Sequence, residues 1–73
     1  MRIIIFGTGY KYQKNKHYFK NMDVLCFLDN DTRKQGTVKD GLNIYPVDKI
    51  LQLTYDYVCI VSDSHVVMKE QLQ

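Results

Sequence analysis

The sequence predicts an α/β domain on a four-stranded parallel sheet of order 3-2-1-4, and three observations carry that expectation. Short runs rich in β-branched and aromatic residues recur along the 73 residues. Between them lie stretches whose apolar residues return at helical spacing or whose composition is that of a turn. The first run ends in Gly7-Thr8-Gly9 and the second ends at Asp29, twenty positions beyond Gly9.

Each element follows from its own residues. Arg2 to Phe6 is a β-branched and aromatic run, as expected for a central parallel strand covered on both faces. From Tyr10 to Met22, residues Tyr12, Phe19 and Met22, with Tyr18 beside them, fall on one side of a helix at about 100° per residue. Asn15 falls on the same side, so imperfect packing is expected there. Asp23 to Leu28 gives a second buried strand. Asn30 to Gly41 is polar and lacks helical periodicity, so the second crossover is expected to shrink to a turn or loop. Leu42 to Tyr45 is a short third strand. Pro46 suits the first turn of a helix that runs to Leu53, with Val47, Ile50, Leu51 and Leu53 as its apolar face. Tyr55 to Val61 reads as a fourth strand. Ser62-Asp63-Ser64 then offers caps for a last helix from about His65 to Leu72. With right-handed crossovers this pattern is the first half of a doubly wound, three-layer Rossmann-like fold, without the second half that completes a two-part crevice.

Composition narrows the function classes. Hydrophobic residues make up 45%, aromatics 12% and charged residues 25% of the chain, a globular composition sufficient for one domain. A domain of this length buries only roughly 60% of its unfolded surface, so modest stability is expected. The net charge of +2 argues against a nucleic-acid partner or a polybasic membrane anchor. Cys26 and Cys59 each lie in an apolar run with no C-x-x-C spacing, which reads as core packing and a reducing compartment. No stretch approaches the ~20 apolar residues of a membrane span, and no secretory signal pattern opens the chain. The cytoplasm is the expected location.

The candidate site gathers around the glycine turn. A strand, a glycine turn at a helix N-terminus and an acid on the next strand are what a dinucleotide fold uses for pyrophosphate and ribose. Gly7, Thr8, Gly9 and Tyr10 are therefore the candidate phosphate cradle, with Asp29 and Asn30 placed to meet ribose hydroxyls. Asp29 also fits a turn, Asp31 reads as a turn residue, and an acid at this place favours NAD over NADP. Tyr12 stands where the third glycine of G-x-G-x-x-G belongs. A tyrosine there should push helix and strand apart, which suits a mononucleotide or nucleotide sugar better than a nicotinamide dinucleotide. Ser62 and Ser64 lie beyond the fourth strand, beside the first across the switch point, and can line the same crevice or cap a helix. Lys11 alone of the helical lysines is near the turn. Lys14, Lys16, Lys20 and His17 read as a solvated face. Ser62, Asp63 and His65 adjoin in sequence and cannot converge as a hydrolytic triad. No metal constellation or catalytic residue is evident.

I-I-I-F-G-T-G at 3 to 9, F-L-D-N-D at 27 to 31, K-Q-G at 34 to 36 and Y-D-Y-V-C-I-V-S at 55 to 62 together resemble the Rossmann-like modules of bacterial surface-polysaccharide biosynthesis proteins. In that family such modules precede or follow sugar acetyltransferase, glycosyltransferase, methyltransferase and nucleotide-sugar dehydratase domains. The resemblance implies a fragment or module of a larger protein, with catalysis in the attached domain. By similarity to the acetyltransferase relatives, which hold a UDP-sugar, it implies that Gly7, Gly9, Asp29 and Ser62 lie near the nucleotide.

The leading expectation is therefore a nucleotide-binding module for a nucleotide sugar or NAD, non-catalytic by itself. A second reading makes it the N-terminal piece of an NAD-dependent dehydratase or epimerase whose catalytic tyrosine and lysine lie beyond Gln73. A third makes it a structural module that forms a homo-oligomer through an uncovered sheet face, its glycine turn vestigial.

Overall fold

The computed structural model describes residues 1–63 and 65–72, with 65–67 described as backbone alone, and Ser64, one of the expected crevice residues, lies outside the described residues. Its strands are β1 (Arg2–Phe6), β2 (Asp23–Leu28), β3 (Val38–Lys39), β4 (Leu42–Tyr45) and β5 (Tyr57–Ile60), and its helices are α1 (Tyr10–Asn15) and α2 (His65–Gln71). Two 3₁₀ segments, Lys16–Phe19 and Val47–Gln52, complete the regular structure of the described residues. The sheet runs β3-β4-β2-β1-β5. The pairs β1/β2, β1/β5 and β2/β4 are parallel, and β3/β4 is antiparallel.

The four expected strands thus lie side by side in the expected order, and the count is corrected to five. The added strand comes from the segment read as loop. Asp40 (φ 49°) and Gly41 (φ 79°) form a two-residue hairpin turn between paired Lys39 and Leu42. Positive φ at both central residues is the type I′ geometry for which Asp-Gly is a preferred sequence, because its twist matches that of the flanking strands.

Two hydrophobic layers sandwich the sheet. Ile3, Ile5, Phe27 and Ile44 face Tyr12 and Phe19 on one side. On the other, Ile4, Phe6, Cys26 and Leu28 face Met68 of α2, Val47 and Ile50 of the second 3₁₀ segment, and Leu53 just after it. Alternate residues of β1 go to opposite faces, as the two-residue period of a strand requires. A register shift opposite Ile3/Ile4 lets both Leu25 and Cys26 reach the second layer.

The helical readings need correction in their detail. The first helix was expected to run to Met22, yet α1 ends at Asn15, whose backbone leaves helical geometry (φ −113°, ψ 5°). The Asn15 amide donates to the Lys11 carbonyl at 2.8 Å, the local side-chain bonding that competes with helix continuation. Phe19 still packs on the sheet, but Tyr18 is 67% and Met22 52% exposed rather than facing it. The second expected helix is the 3₁₀ segment after Pro46. Three residues per turn align Val47, Ile50 and Leu53, and leave Leu51 88% exposed instead of on the apolar face. Strand β5 begins at Tyr57, two residues later than expected, and ends at Ile60.

Tyr12 is buried in the first layer, with its ring edge-on to Phe27 at 4.9 Å and its hydroxyl donating to Asp40 Oδ2 at 2.8 Å. Burial first, then the hydrogen bond and charge of Asp40, push its hydroxyl pKa up to about 12. A group with a raised folded pKa stabilises the fold fully below its unfolded pKa and loses that contribution as pH rises through the folded one. Wild-type protein is therefore expected to lose about 2 kcal/mol of stability between about pH 10 and 12 that Tyr12→Phe does not lose. Urea titrations of both proteins across that range check it.

Candidate functional site

The carboxyl ends of β1, β2 and β5 open into one polar cleft of about 460 Å³. Gly7, Thr8, Gly9, Tyr10, Asp29, Asn30 and Ser62 all line it, so the seven residues singled out from the sequence come together in space. They are joined by Lys11, Asp31, Lys34, Val61, Asp63 and Met68. Lys34, part of the K-Q-G motif, was not singled out as a site residue, because the loop that folds it back toward β2 has no periodicity to read. The loop is held by the Gln35 amide, which donates to the Asp29 carbonyl at 2.9 Å, and by the Lys34 and Gln35 N–H groups, which donate to the Asp31 carbonyl.

The two glycines of the turn have different reasons to be glycine. Gly7 has φ +118°, and a Cβ there would stand 2.4 Å from the Val61 carbonyl oxygen. The turn passes too close to the end of β5 for any side chain. The Gly7 N–H also donates to the Leu28 carbonyl at 2.8 Å, so this donor is engaged within the fold. Gly9 caps α1 with φ −83°, and a Cβ there would meet nothing within 4 Å. Neither backbone strain nor crowding requires glycine at this position.

Asp29 holds the turn. The Thr8 N–H and Thr8 hydroxyl both donate to Asp29 Oδ2, at 3.0 and 2.5 Å, and the Asp31 N–H donates to Oδ1 at 2.8 Å. Thr8 is 4% exposed, so these bonds satisfy a buried hydroxyl as well as a backbone donor. The sequence offered Asp29 either a ribose or a turn; the turn role is present, and Asp29 also lines the cleft. Asp31 forms a two-point pair with Arg33 at 3.1 and 3.0 Å, and those hydrogen bonds hold its carboxyl below the usual carboxylate range. Lys11 Nζ lies 3.1 Å from Asp63 Oδ1 across the mouth, an exposed pair worth little in stability. The cleft therefore presents lysine donors beside carboxylate acceptors. Burial alone raises the Cys26 thiol pKa, which suits its core role. Among the described residues no cluster of His, Cys, Asp and Glu can hold a metal ion, and no helix is long and apolar enough to cross a membrane.

Fold and cleft together define a small mixed α/β domain with a polar cleft at the carboxyl ends of a mostly parallel sheet. The chain belongs to the C2185-like, N-terminal family, whose model matches residues 1–73. No curated protein and no solved structure matches it.

Proposed function

We propose that the chain is a half Rossmann-like, nucleotide-binding module that takes a nucleotide sugar or NAD and leaves catalysis to an attached domain. The observation that carries this reading is Gly9, an exposed glycine that neither strain nor crowding requires, lining the cleft at the carboxyl ends of the parallel strands. A side chain there would occupy the space of a ligand. The N–H groups of Tyr10 and Lys11, in the first turn of α1, have no intrahelical partner and are the donors for a phosphate. Lys11 and Lys34 add charge, while Asp29, Asp31 and Asp63 offer acceptors to sugar hydroxyls. This mixture suits a sugar-bearing diphosphate better than a bare polyphosphate, which the three acids would repel. The family's description as an N-terminal domain supports a further domain in the protein, and the resemblance to surface-polysaccharide modules supports catalysis in that domain.

Amide spectra of ¹⁵N-labelled protein with UDP-N-acetylglucosamine and NAD added separately test the reading. Shifts at Gly9, Tyr10 and Asp29 are expected with one of them, and silence with both at millimolar concentration sinks it. Gly9→Ala is expected to weaken the binding by roughly tenfold, about 1.4 kcal/mol. The same substitution should change stability by less than about 1 kcal/mol, the usual difference between N-cap glycine and alanine.

A further inference from the structure

A second cavity is lined by Tyr12 of α1 and by residues that follow the helix, and shares no lining residue with the cleft. Its volume, about 500 Å³, falls within the range of roughly 300–1,000 Å³ that small-molecule sites occupy. It exists because of two departures noted above. Tyr12, standing in place of a glycine, props α1 against Phe27. The break of the helix after Asn15 then leaves the surface between Phe19, Val24 and Leu42 without the cover a longer helix would give, and half-exposed Met22 stands among the lining residues.

The lining is divided by chemistry. Tyr12, Phe19, Val24, Phe27 and Leu42 make an apolar floor. Lys16, His17 and Lys20 stand on the 3₁₀ side of the mouth, and Lys39 Nζ lies 5.8 Å from the centre of the Tyr12 ring. Asp40 is the one acid of the lining, and it accepts the Tyr12 hydroxyl at 2.8 Å. Lys16 and Lys20 form no ion pair among the described residues. Lysines of this kind lay their stems along apolar surface and keep the ammonium group in water, where an anion at the mouth would meet it.

We propose that this cavity binds a small amphipathic anion, an apolar chain or ring seated on Tyr12, Phe19 and Leu42 with a single carboxylate or phosphate head held by Lys16 and Lys20. A neutral ligand would use only the floor, and a cation would be repelled at the mouth. The site is independent of the nucleotide cleft, and either can fail without the other.

Decanoate, decyl phosphate, decanol and decyltrimethylammonium, each below its aggregation concentration, are titrated into ¹⁵N-labelled protein. Both anions are expected to shift the amides of Phe19, Val24 and Leu42 saturably, and the cation to bind at least about tenfold more weakly. If only one anion binds, the head chemistry is carboxylate or phosphate accordingly, and the proposal stands. The double variant Lys16→Gln/Lys20→Gln, with an unchanged circular dichroism spectrum, is expected to weaken anion binding about three- to tenfold, the effect of losing two exposed charge contacts. Decanol binding should not change. Equal affinity for anion and cation overturns the proposal, as do anion shifts centred on Gly9 rather than Phe19, or no shifts at all. If the double variant does not fold, the comparison of anion with cation on wild-type protein still decides.

Discussion

Gly7→Ala is expected to lose about 3 kcal/mol of folding stability, most of what a domain of this size holds. The alanine methyl would have to occupy a point 2.4 Å from a backbone oxygen, Val61 O, which is itself held in the sheet because the neighbouring Val61 N–H donates to the Phe6 carbonyl at 2.8 Å. A flexible side chain would move aside; a strand end tied to β1 cannot. The φ of +118° adds strain of order 1–3 kcal/mol for any residue with a Cβ. Urea unfolding followed by circular dichroism measures the loss, and a fall of roughly 12 °C or more in melting temperature should accompany it. A drop under about 1 kcal/mol would mean that the turn does not pass so close to β5. The contrast with Gly9→Ala, expected to change stability by less than about 1 kcal/mol in the same assay, separates a glycine kept for the fold from one available to a ligand.

Asp29→Ala is expected to cost about 2–3 kcal/mol, again read from urea midpoints. Three hydrogen bonds to a carboxylate disappear, and a typical bond to a charged group contributes ~1.5–3 kcal/mol. Part of this is recovered because water can reach Asp31, but the Thr8 hydroxyl is buried and left without its acceptor. Thr8→Val, which removes the hydroxyl together with its need for a partner, should cost less than Asp29→Ala. This prediction bears on any binding experiment at the cleft. Loss of nucleotide binding in Asp29→Ala would report collapse of the turn as readily as loss of a ribose contact. Gly9→Ala is the cleaner probe.

Much of the architecture is legible in the residues. Ile3-Ile4-Ile5-Phe6 and Val24-Leu25-Cys26-Phe27-Leu28 can only be covered on both faces, and strands so covered are parallel strands with crossovers. Leu42 to Tyr45 matches β4 residue for residue. The missing strand β3 had a signal in Asp40-Gly41, a hairpin dipeptide hidden by the polar residues before it. The helix break at Asn15 had one too, in an asparagine on the buried side, but only the structure shows its amide reaching the Lys11 carbonyl. Leu51 was misread because a 3₁₀ turn and an α-helix place the same residues on different faces, and nothing local to Val47–Gln52 separates the two periods.

By itself the sequence determined the class of fold, the order of the parallel strands and the gathering of seven residues at one end of the sheet. These follow from short-range patterns of hydrophobicity and turn chemistry, which a chain carries wherever it goes. How individual residues are engaged was settled by contacts across the fold. Gly7 is glycine because of Val61, Asp29 is engaged because of Thr8, and Tyr12 opens a cavity because Phe27 lies beneath it. Each is a contact between residues far apart in the chain, and a contact of that kind has no local period by which it can be read.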